Sequence, residues 1–246
     1  MRLLYAELLK IRTAPRTTLG LVLGLLALVA LGSGSTASSA GGQFASEIAV
    51  WDVLEVASTA GIFTLILGVL IVTWEYRHGT ITPTFLVTPR RERVVIAKVV
   101  TSFVVGAVLA VAAIVLALGM AQFFVDLDIQ RGHWELIGRI VFASAAWAVL
   151  GVGLGAAVQS QVGGIVIAFV YFLVAEPLLA WRAGDFADYF PGAAFDRLIA
   201  RGTIAAAEGE IPEDTYSLSV AALLVAAYAL AATAVGGFLA DRRDVS

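Results

Sequence analysis

The sequence lacks cysteine altogether and contains little charge, histidine or lysine. Of its 246 residues only 14% are charged, two are histidines, and the lysines are Lys10 and Lys98. Without cysteine there can be no disulfide, thiolate metal site or cysteine nucleophile. The phosphate-binding pattern GxxxxGK[ST] is absent too. We therefore expect a chain that is not an enzyme, carries no cofactor or metal of its own, and does not hydrolyse ATP.

Apolar residues make up the bulk of the chain. They account for 60% of the residues, and the mean hydropathy is +0.91. Soluble domains carry about 25% charged residues, clearly more than this chain does. The composition therefore predicts an integral membrane protein.

Six apolar stretches are long enough to cross a bilayer, which takes about 20 residues per helix. They are residues 17–32, 53–74, 94–124, 139–158, 162–181 and 218–240. Short polar segments separate most of them, so we predict one all-α, polytopic transmembrane domain over residues 1–246. A polar segment precedes the first stretch, which we interpret as a span rather than a cleaved signal peptide.

The placement of lysine and arginine predicts the orientation in the membrane. If both termini are cytoplasmic, 11 basic residues lie inside and 5 outside, as the positive-inside rule requires. We therefore expect a multi-pass protein of the plasma membrane with both termini in the cytoplasm. The external loop, residues 182–217, is long and contains apolar patches, which is typical of a structured loop.

Residues 1–16 suggest a helix that lies on the inner membrane surface. Leu4, Leu8 and Ile11 fall on one helical face, and Pro15 provides a corner before the first span. Such a helix would contact membrane lipids. The alternative is a charged flank that only sets the topology.

Residues 75–93 form a polar passage between the second and third spans. Trp74 suits the membrane interface, Glu75 and Arg77 are expected in water, and Gly79 allows a sharp turn. A short helix follows, with Thr80 or Thr82 as its cap, Pro83 in its first turn and Pro89 ending it. It would present Thr84, Phe85 and Leu86 to the cytoplasm and place Arg90, Arg91 and Arg93 near the lipid headgroups. The alternative is an ordinary positively charged inner loop.

The passage "EYRHGTITPTFLVTPRRERVVIAK" resembles the segment between spans two and three of ABC-2 type transporter permeases. The matching positions are Glu75, Arg77, Gly79, Thr80, Leu86, Pro89, Arg90, Arg91 and Lys98. The opening "AELLKIRT" and closing "FLADRRDV" are also similar to the ends of such permeases, and the six-span layout extends the resemblance along the chain. Pro83 departs from the family pattern.

The resemblance implies a mechanism and partners. Such permeases pair with a second permease copy, and each sits on a separate cytoplasmic ABC ATPase that binds ATP and Mg and drives export. Residues 1–16 would be the connecting helix, 75–93 the coupling helix, and 182–217 would hold re-entrant external helices. The residues implied in ATPase coupling are Glu75, Arg77, Gly79, Thr80, Pro83, Thr84, Phe85 and Leu86. No nucleic-acid partner is expected.

Glu176 is a carboxylate inside the fifth span, which makes it a candidate for a substrate or proton role. Pro177 is expected to break the helix there, and the alternative is that Glu176 reaches water or a helix terminus. The resemblance also implies that spans two and five line a pathway, so Thr59, Phe63 and Thr64 are candidate pathway residues with Glu176.

Two features argue against other readings of the chain. Gly151 and Gly155 lie within a span and form a small-xxx-small pair for helix packing, not a dinucleotide fingerprint. His78 and His133 fall on opposite sides of the membrane and cannot share a metal.

The main alternative function is a secondary transporter driven by an ion gradient, which would favour several buried ionisable groups that the spans largely lack. A membrane scaffold has no positive indication.

Overall fold

The computed structural model describes residues 16–39, 45–79, 91–200 and 216–243. Within these ranges the chain is 90% helical and has no strand. The α-helices of the described chain are α1 (Arg16–Ser39), α2 (Ala45–Ser58), α3 (Ala60–Arg77), α4 (Arg91–Ala121), α5 (Arg131–Val158), α6 (Gln161–Val170), α7 (Glu176–Ala183), α8 (Pro191–Ile199) and α9 (Leu218–Arg243).

Six helical segments in the described ranges are long and apolar enough to cross a membrane. They are Thr17–Ser39, Val50–Arg77, Val94–Ala121, Arg131–Val158, Gln161–Tyr189 and Leu218–Ala240. The prediction of an all-α, six-span membrane protein is therefore confirmed. The predicted connecting helix, residues 1–16, lies outside the described residues except for Arg16.

Helix α1 continues past the predicted end of the first span through the stretch "GSGSTASS". Serine hydroxyls in this stretch donate to carbonyls one turn earlier. The Ser35 hydroxyl lies 2.8 Å from the Gly32 carbonyl oxygen, and the Ser39 hydroxyl 2.9 Å from that of Ser35. Because these hydroxyls find partners within the helix itself, the polar sequence does not end it at residue 32.

The fourth span, α5, is the central helix of the bundle. Its contacts are chiefly with α3, α4 and α9, and about two thirds of its apolar core is buried. At Gly151 an added Cβ would overlap the Leu65 carbonyl of α3, and at Gly155 it would lie 2.9 Å from the Val69 carbonyl oxygen. The predicted small-xxx-small packing is confirmed, since only glycine allows this approach of the two backbones.

The opposite face of α5 also uses glycines to pack closely, in this case against α9. Gly153 faces Ala232, and Gly236 of α9 faces the Gly153 carbonyl so closely that a Cβ at either glycine would overlap backbone. The sequence reasoning did not identify this second contact, because the two glycines lie far apart in the chain. Helix α5 is thus held between two neighbours at backbone distance.

The fifth span is continuous, so the prediction that Pro177 breaks its helix is wrong. Residues Tyr171–Ala175 form a π-helical turn, in which the Glu176 N–H donates to the Tyr171 carbonyl. Proline lacks an N–H and crowds the carbonyl four residues earlier, and the wider π turn accommodates both effects. Helix α7 then continues to Ala183, and a 3-10 helix follows over Gly184–Tyr189.

In the region for which external helices were predicted, α8 follows the 3-10 helix and packs against α9 and α5. Its buried residues are Ala194, Phe195 and Leu198, which share one face. The Arg139 guanidinium of α5 donates to the carbonyls of Leu198 and Ala200, each at 3.1 Å. The Arg139 side chain therefore anchors helix α8 on the bundle, where α8 packs against α5.

Candidate functional site

An ion pair joins α3 to α4 at the predicted cytoplasmic end. Lys98 Nζ lies 2.8 Å from Glu75 Oε1, and the two side chains are only 6% and 3% exposed. The prediction that Glu75 lies in water is therefore wrong, because α4 covers it and supplies its countercharge. Lys98, which the sequence reasoning treated as one of many inner positive charges, is its buried partner.

The end of α3 is further fixed by side chains that reach back or across. Arg77 Nη1 donates to Gln161 Oε1 at 2.9 Å, linking α3 to the start of α6. The His78 ring stacks on Trp74, with ring centroids 3.7 Å apart. Gly79 follows with a φ of +65°, a left-handed conformation that glycine adopts at little cost. The predicted sharp turn at Gly79 is present.

The rest of the predicted coupling element lies outside the described residues. This applies to Thr80, Pro83, Thr84, Phe85, Leu86 and Arg90. Arg91 and Arg93 belong to the first turn of α4, and their side chains are also outside the description. The described structure therefore shows the two helix ends that hold this element, and its docking role stays a prediction.

The candidate pathway residues of span two occupy different environments. Thr64 is fully buried, and its hydroxyl donates to the Ser144 carbonyl of α5 at 2.7 Å. Phe63 packs in the core cluster shared with α1, and the Thr59 hydroxyl donates to the Val56 carbonyl at 2.7 Å. Thr64 thus serves as an interhelical contact, and neither Thr59 nor Phe63 shares a cavity with Glu176.

Glu176 is 6% exposed and faces the N-terminus of α8. Its Oε1 accepts a hydrogen bond from the Ala193 N–H at 3.0 Å. The carboxylate packs so closely on Gly192 that an added Cβ would lie 2.6 Å from Oε1 and 3.0 Å from the carboxyl carbon. The predicted alternative, that Glu176 reaches a helix terminus, is confirmed, and the partial positive charge of that terminus stabilises the carboxylate.

The other oxygen of this carboxylate, Oε2, is buried and has no well-aligned donor within the described part of the chain. Glu176 lies in the wall of a cavity of about 500 Å³ between α3, α5, the fifth span and α8. Span two contributes Ile62 and Leu65 to the wall, not the residues chosen from the sequence. The assignment of Thr59, Phe63 and Thr64 to a pathway between two permease copies stays a prediction.

Aromatic side chains form much of the cavity wall. Trp147 of α5 lies 4.4 Å from Phe172 of the π turn and 4.8 Å from Phe195 of α8, measured between ring centroids. Phe169 also lines the cavity. These rings come from three separate segments, so no local sequence pattern indicates their convergence.

Two further carboxyls, Asp188 and Asp196, line the cavity with Glu176. Asp196 remains accessible to water, but the surrounding protein removes part of the hydration of its carboxylate. This loss of hydration and, to a smaller degree, the negative charge of Glu176 raise the pKa of Asp196 from 3.8 to about 6. The sequence reasoning missed both aspartates as site residues. Only the return of α8 over the fifth span brings them to Glu176.

The carboxyls and aromatic rings around the cavity are groups that can bind a ligand. Within the described ranges no three His, Asp or Glu side chains are grouped as metal ligands. His133 is buried against Trp51 at the predicted outer end, with ring centroids 4.5 Å apart, whereas His78 ends α3 at the other end. The predicted separation of the two histidines is confirmed.

Comparison with known proteins identifies a family whose model matches this chain. A family model described as "ABC-2 family transporter protein" matches residues 3–175, which is more than half of the chain and includes the first four spans and about half of the fifth. A search of curated proteins finds no match. The match ends one residue before Glu176, so the aspartates of the outer cavity and α8 lie beyond it. With six helices able to span a membrane and a family match over most of its length, this multi-pass membrane protein belongs to the ABC-2 family of transporter proteins.

Proposed function

We propose that the chain is the permease subunit of an ATP-driven ABC exporter. It works as a dimer, either with a second copy or with a related permease, and each half engages a separate cytoplasmic ATPase that binds ATP and Mg. Membership of the ABC-2 family supports an ABC transporter permease with an ATPase partner and a multimeric assembly. The bias of 11 basic residues to 5 supports cytoplasmic termini.

The buried Glu75–Lys98 pair is the observation that best supports coupling through residues 75–93. It lies where α3 ends and α4 begins, on either side of the segment proposed to dock on the ATPase. Force applied to a loop moves its flanking helices only if the loop is firmly attached to them. The pair, the Arg77–Gln161 hydrogen bond and the Gly79 turn provide that attachment to spans two, three and five.

The buried ionisable groups do not favour a gradient-driven transporter. Glu75 is paired with Lys98, and Glu176 accepts a backbone hydrogen bond at the start of α8. A proton- or ion-coupled carrier needs a group near mid-membrane that exchanges its ligand during transport. Apart from these two carboxylates, the buried ionisable side chains of the described residues are Lys98 and His133, which is few for an ion-coupled carrier and supports the ATP-driven exporter over the gradient-driven alternative.

The test is co-expression and co-purification with a candidate ABC ATPase subunit from the same organism, followed by ATPase assays in lipid. Leu86→Asp places a charge on the proposed docking surface, and we expect it to reduce complex formation at least about 10-fold, since it buries an unpaired charge. Ile129→Asp is the matched control, because residue 129 lies in the α4–α5 connection at the opposite end of the bundle. Equal complex formation by both variants contradicts the proposed coupling site.

A further inference from the structure

The cavity beside Glu176 has the size of a small-molecule site. Its volume is about 500 Å³, within the usual range of about 300–1,000 Å³ for ligand pockets. Residues of α3 and α5 line one side of the cavity, and residues of α8 line the other. A hydrogen bond from Arg139 to the Leu198 carbonyl holds α8 on the bundle. The cavity is thus a partly open concave feature of the fold, bordered by elements that are held in place.

The charged residues that line the cavity are all acidic. Three carboxyls, Glu176, Asp188 and Asp196, line the cavity, and the described residues around it include no lysine, arginine or histidine. Two arginines on α5 and α8 are engaged with backbone: Arg139 donates to carbonyls at the end of α8, and Arg197 donates to the Tyr216 carbonyl at 3.4 Å. The cavity therefore attracts a cation and repels an anion.

The remainder of the wall is apolar and strongly aromatic. Trp147 and Phe195 are 7% and 8% exposed, and Phe172 and Phe169 complete the group. Aromatic faces attract organic cations, most strongly where water is excluded. A small hydrated metal ion makes poor use of such a wall, whereas an organic cation with apolar substituents contacts both the rings and the carboxyls.

Glu176 supplies the specific polar contact. Its Oε1 accepts from the Ala193 N–H and the carboxylate also interacts with the Gly192 N–H, but its buried Oε2 has no well-aligned donor within the described residues. A buried carboxylate oxygen without a donor is unfavourable, and a bound cation relieves that penalty. We propose that this cavity binds a hydrophobic organic cation, with Glu176 as the buried countercharge and the Trp147 cluster as the aromatic wall.

The binding itself requires only this chain, whereas a role for the site on an export route rests on the proposed function. The two claims are therefore tested separately. Binding is measured on the purified chain without an ATPase, and transport is measured on the assembled complex. Loss of transport with intact cation binding contradicts the proposed function alone.

The probe is radiolabelled tetraphenylphosphonium, measured by equilibrium dialysis on the full chain in detergent. Tetraphenylborate has nearly the same shape and the opposite charge, and so reports apolar partitioning. We expect saturable binding of one phosphonium per chain and at least about 10-fold weaker binding of the borate, which is the scale of a charge-assisted contact. Equal binding of the two ions overturns the proposal.

Glu176→Gln is the decisive variant, because the glutamine oxygen can still accept from the Ala193 N–H while the charge is lost. We expect it to weaken phosphonium binding about 10-fold or more. Glu135→Gln makes the same chemical change on an exposed residue of α5 outside the cavity and is expected to leave binding unchanged. Unchanged binding in Glu176→Gln contradicts the assignment.

If Glu176→Gln does not fold, two other changes decide the matter. Asp196→Asn removes a water-accessible carboxyl from the cavity wall, and Ala180→Phe fills the cavity from α7. At pH 7.5 we expect each variant to weaken phosphonium binding at least about 3-fold and to leave gel-filtration behaviour unchanged. A 3-fold loss of binding is the scale of a partly screened charge. Normal binding in both variants places the phosphonium elsewhere and overturns the proposal.

Discussion

Breaking the Glu75–Lys98 pair should destabilise the whole bundle. At a separation of 2.8 Å the attraction between two unit charges is about 6 kcal/mol for an effective dielectric constant of about 20. Loss of hydration offsets much of this attraction, because both side chains are more than nine-tenths buried. Removing one partner leaves the other charge buried without this countercharge, so we expect Glu75→Gln or Lys98→Met to lower the free energy of unfolding by about 3–5 kcal/mol.

The assay is reversible unfolding of the purified chain in mixed micelles with increasing dodecyl sulfate, followed by helical circular dichroism. The double variant Glu75→Gln/Lys98→Met leaves no isolated charge, so its loss should be clearly smaller than the sum of the two single losses. Glu135→Gln, on an exposed site, is the control and should change stability by less than about 0.5 kcal/mol.

Two results would refute this reasoning. One is a loss below about 1 kcal/mol for both single variants, the scale of an exposed pair. The other is an additive double variant, which means that the two side chains do not interact. If instead Glu75→Gln leaves stability intact and weakens only ATPase assembly, the sequence-based role of Glu75 as a docking residue is restored.

Other predictions concern helix packing and the outer helix. Gly151→Ala should destabilise the chain by about 1–3 kcal/mol through overlap with α3, whereas Gly138→Ala in the same helix meets open space and should be neutral or slightly stabilising in the same unfolding assay. Thr64→Val removes the hydrogen bond to Ser144 and should cost about 1 kcal/mol. The raised pKa of Asp196 means that its contribution to stability is fully present below pH 3.8 and is lost as the pH rises through about 6. Thermal unfolding of Asp196→Asn, compared with the parent between pH 3.5 and 7, should lack that decline, and parallel profiles would contradict it. Glu176 is the carboxyl that acts on Asp196, and Asp188 lines the same cavity.

Much of the fold was predictable because the membrane restricts what a sequence can do. A segment in hydrocarbon must satisfy its backbone internally, so each long apolar run becomes a helix. Helix ends were less predictable. The serines at the end of α1 bond within the helix and extend it, and Pro177 is absorbed by a π turn instead of breaking the fifth span.

The candidate site was predicted only in part, because its members come from distant segments. Glu176 was identified, since a carboxylate in an apolar span is conspicuous. Its partners at the start of α8, the aspartates and the aromatic wall depend on how the outer helix folds back. Thr64 was assigned to a pathway because helical position alone does not show which neighbour covers a face.

The sequence by itself determined the class of protein, the number of spans, the predicted orientation and the glycine pair of α5. These follow from local composition and periodicity, which the bilayer converts directly into helices. Only the tertiary structure decided that Glu75 is buried against Lys98, that Gly153 meets Gly236, and that Glu176 lies in an aromatic, acidic cavity beneath α8. Each of these joins residues far apart in the chain, and the packing of one helix against another, not the local sequence, sets which side chains meet.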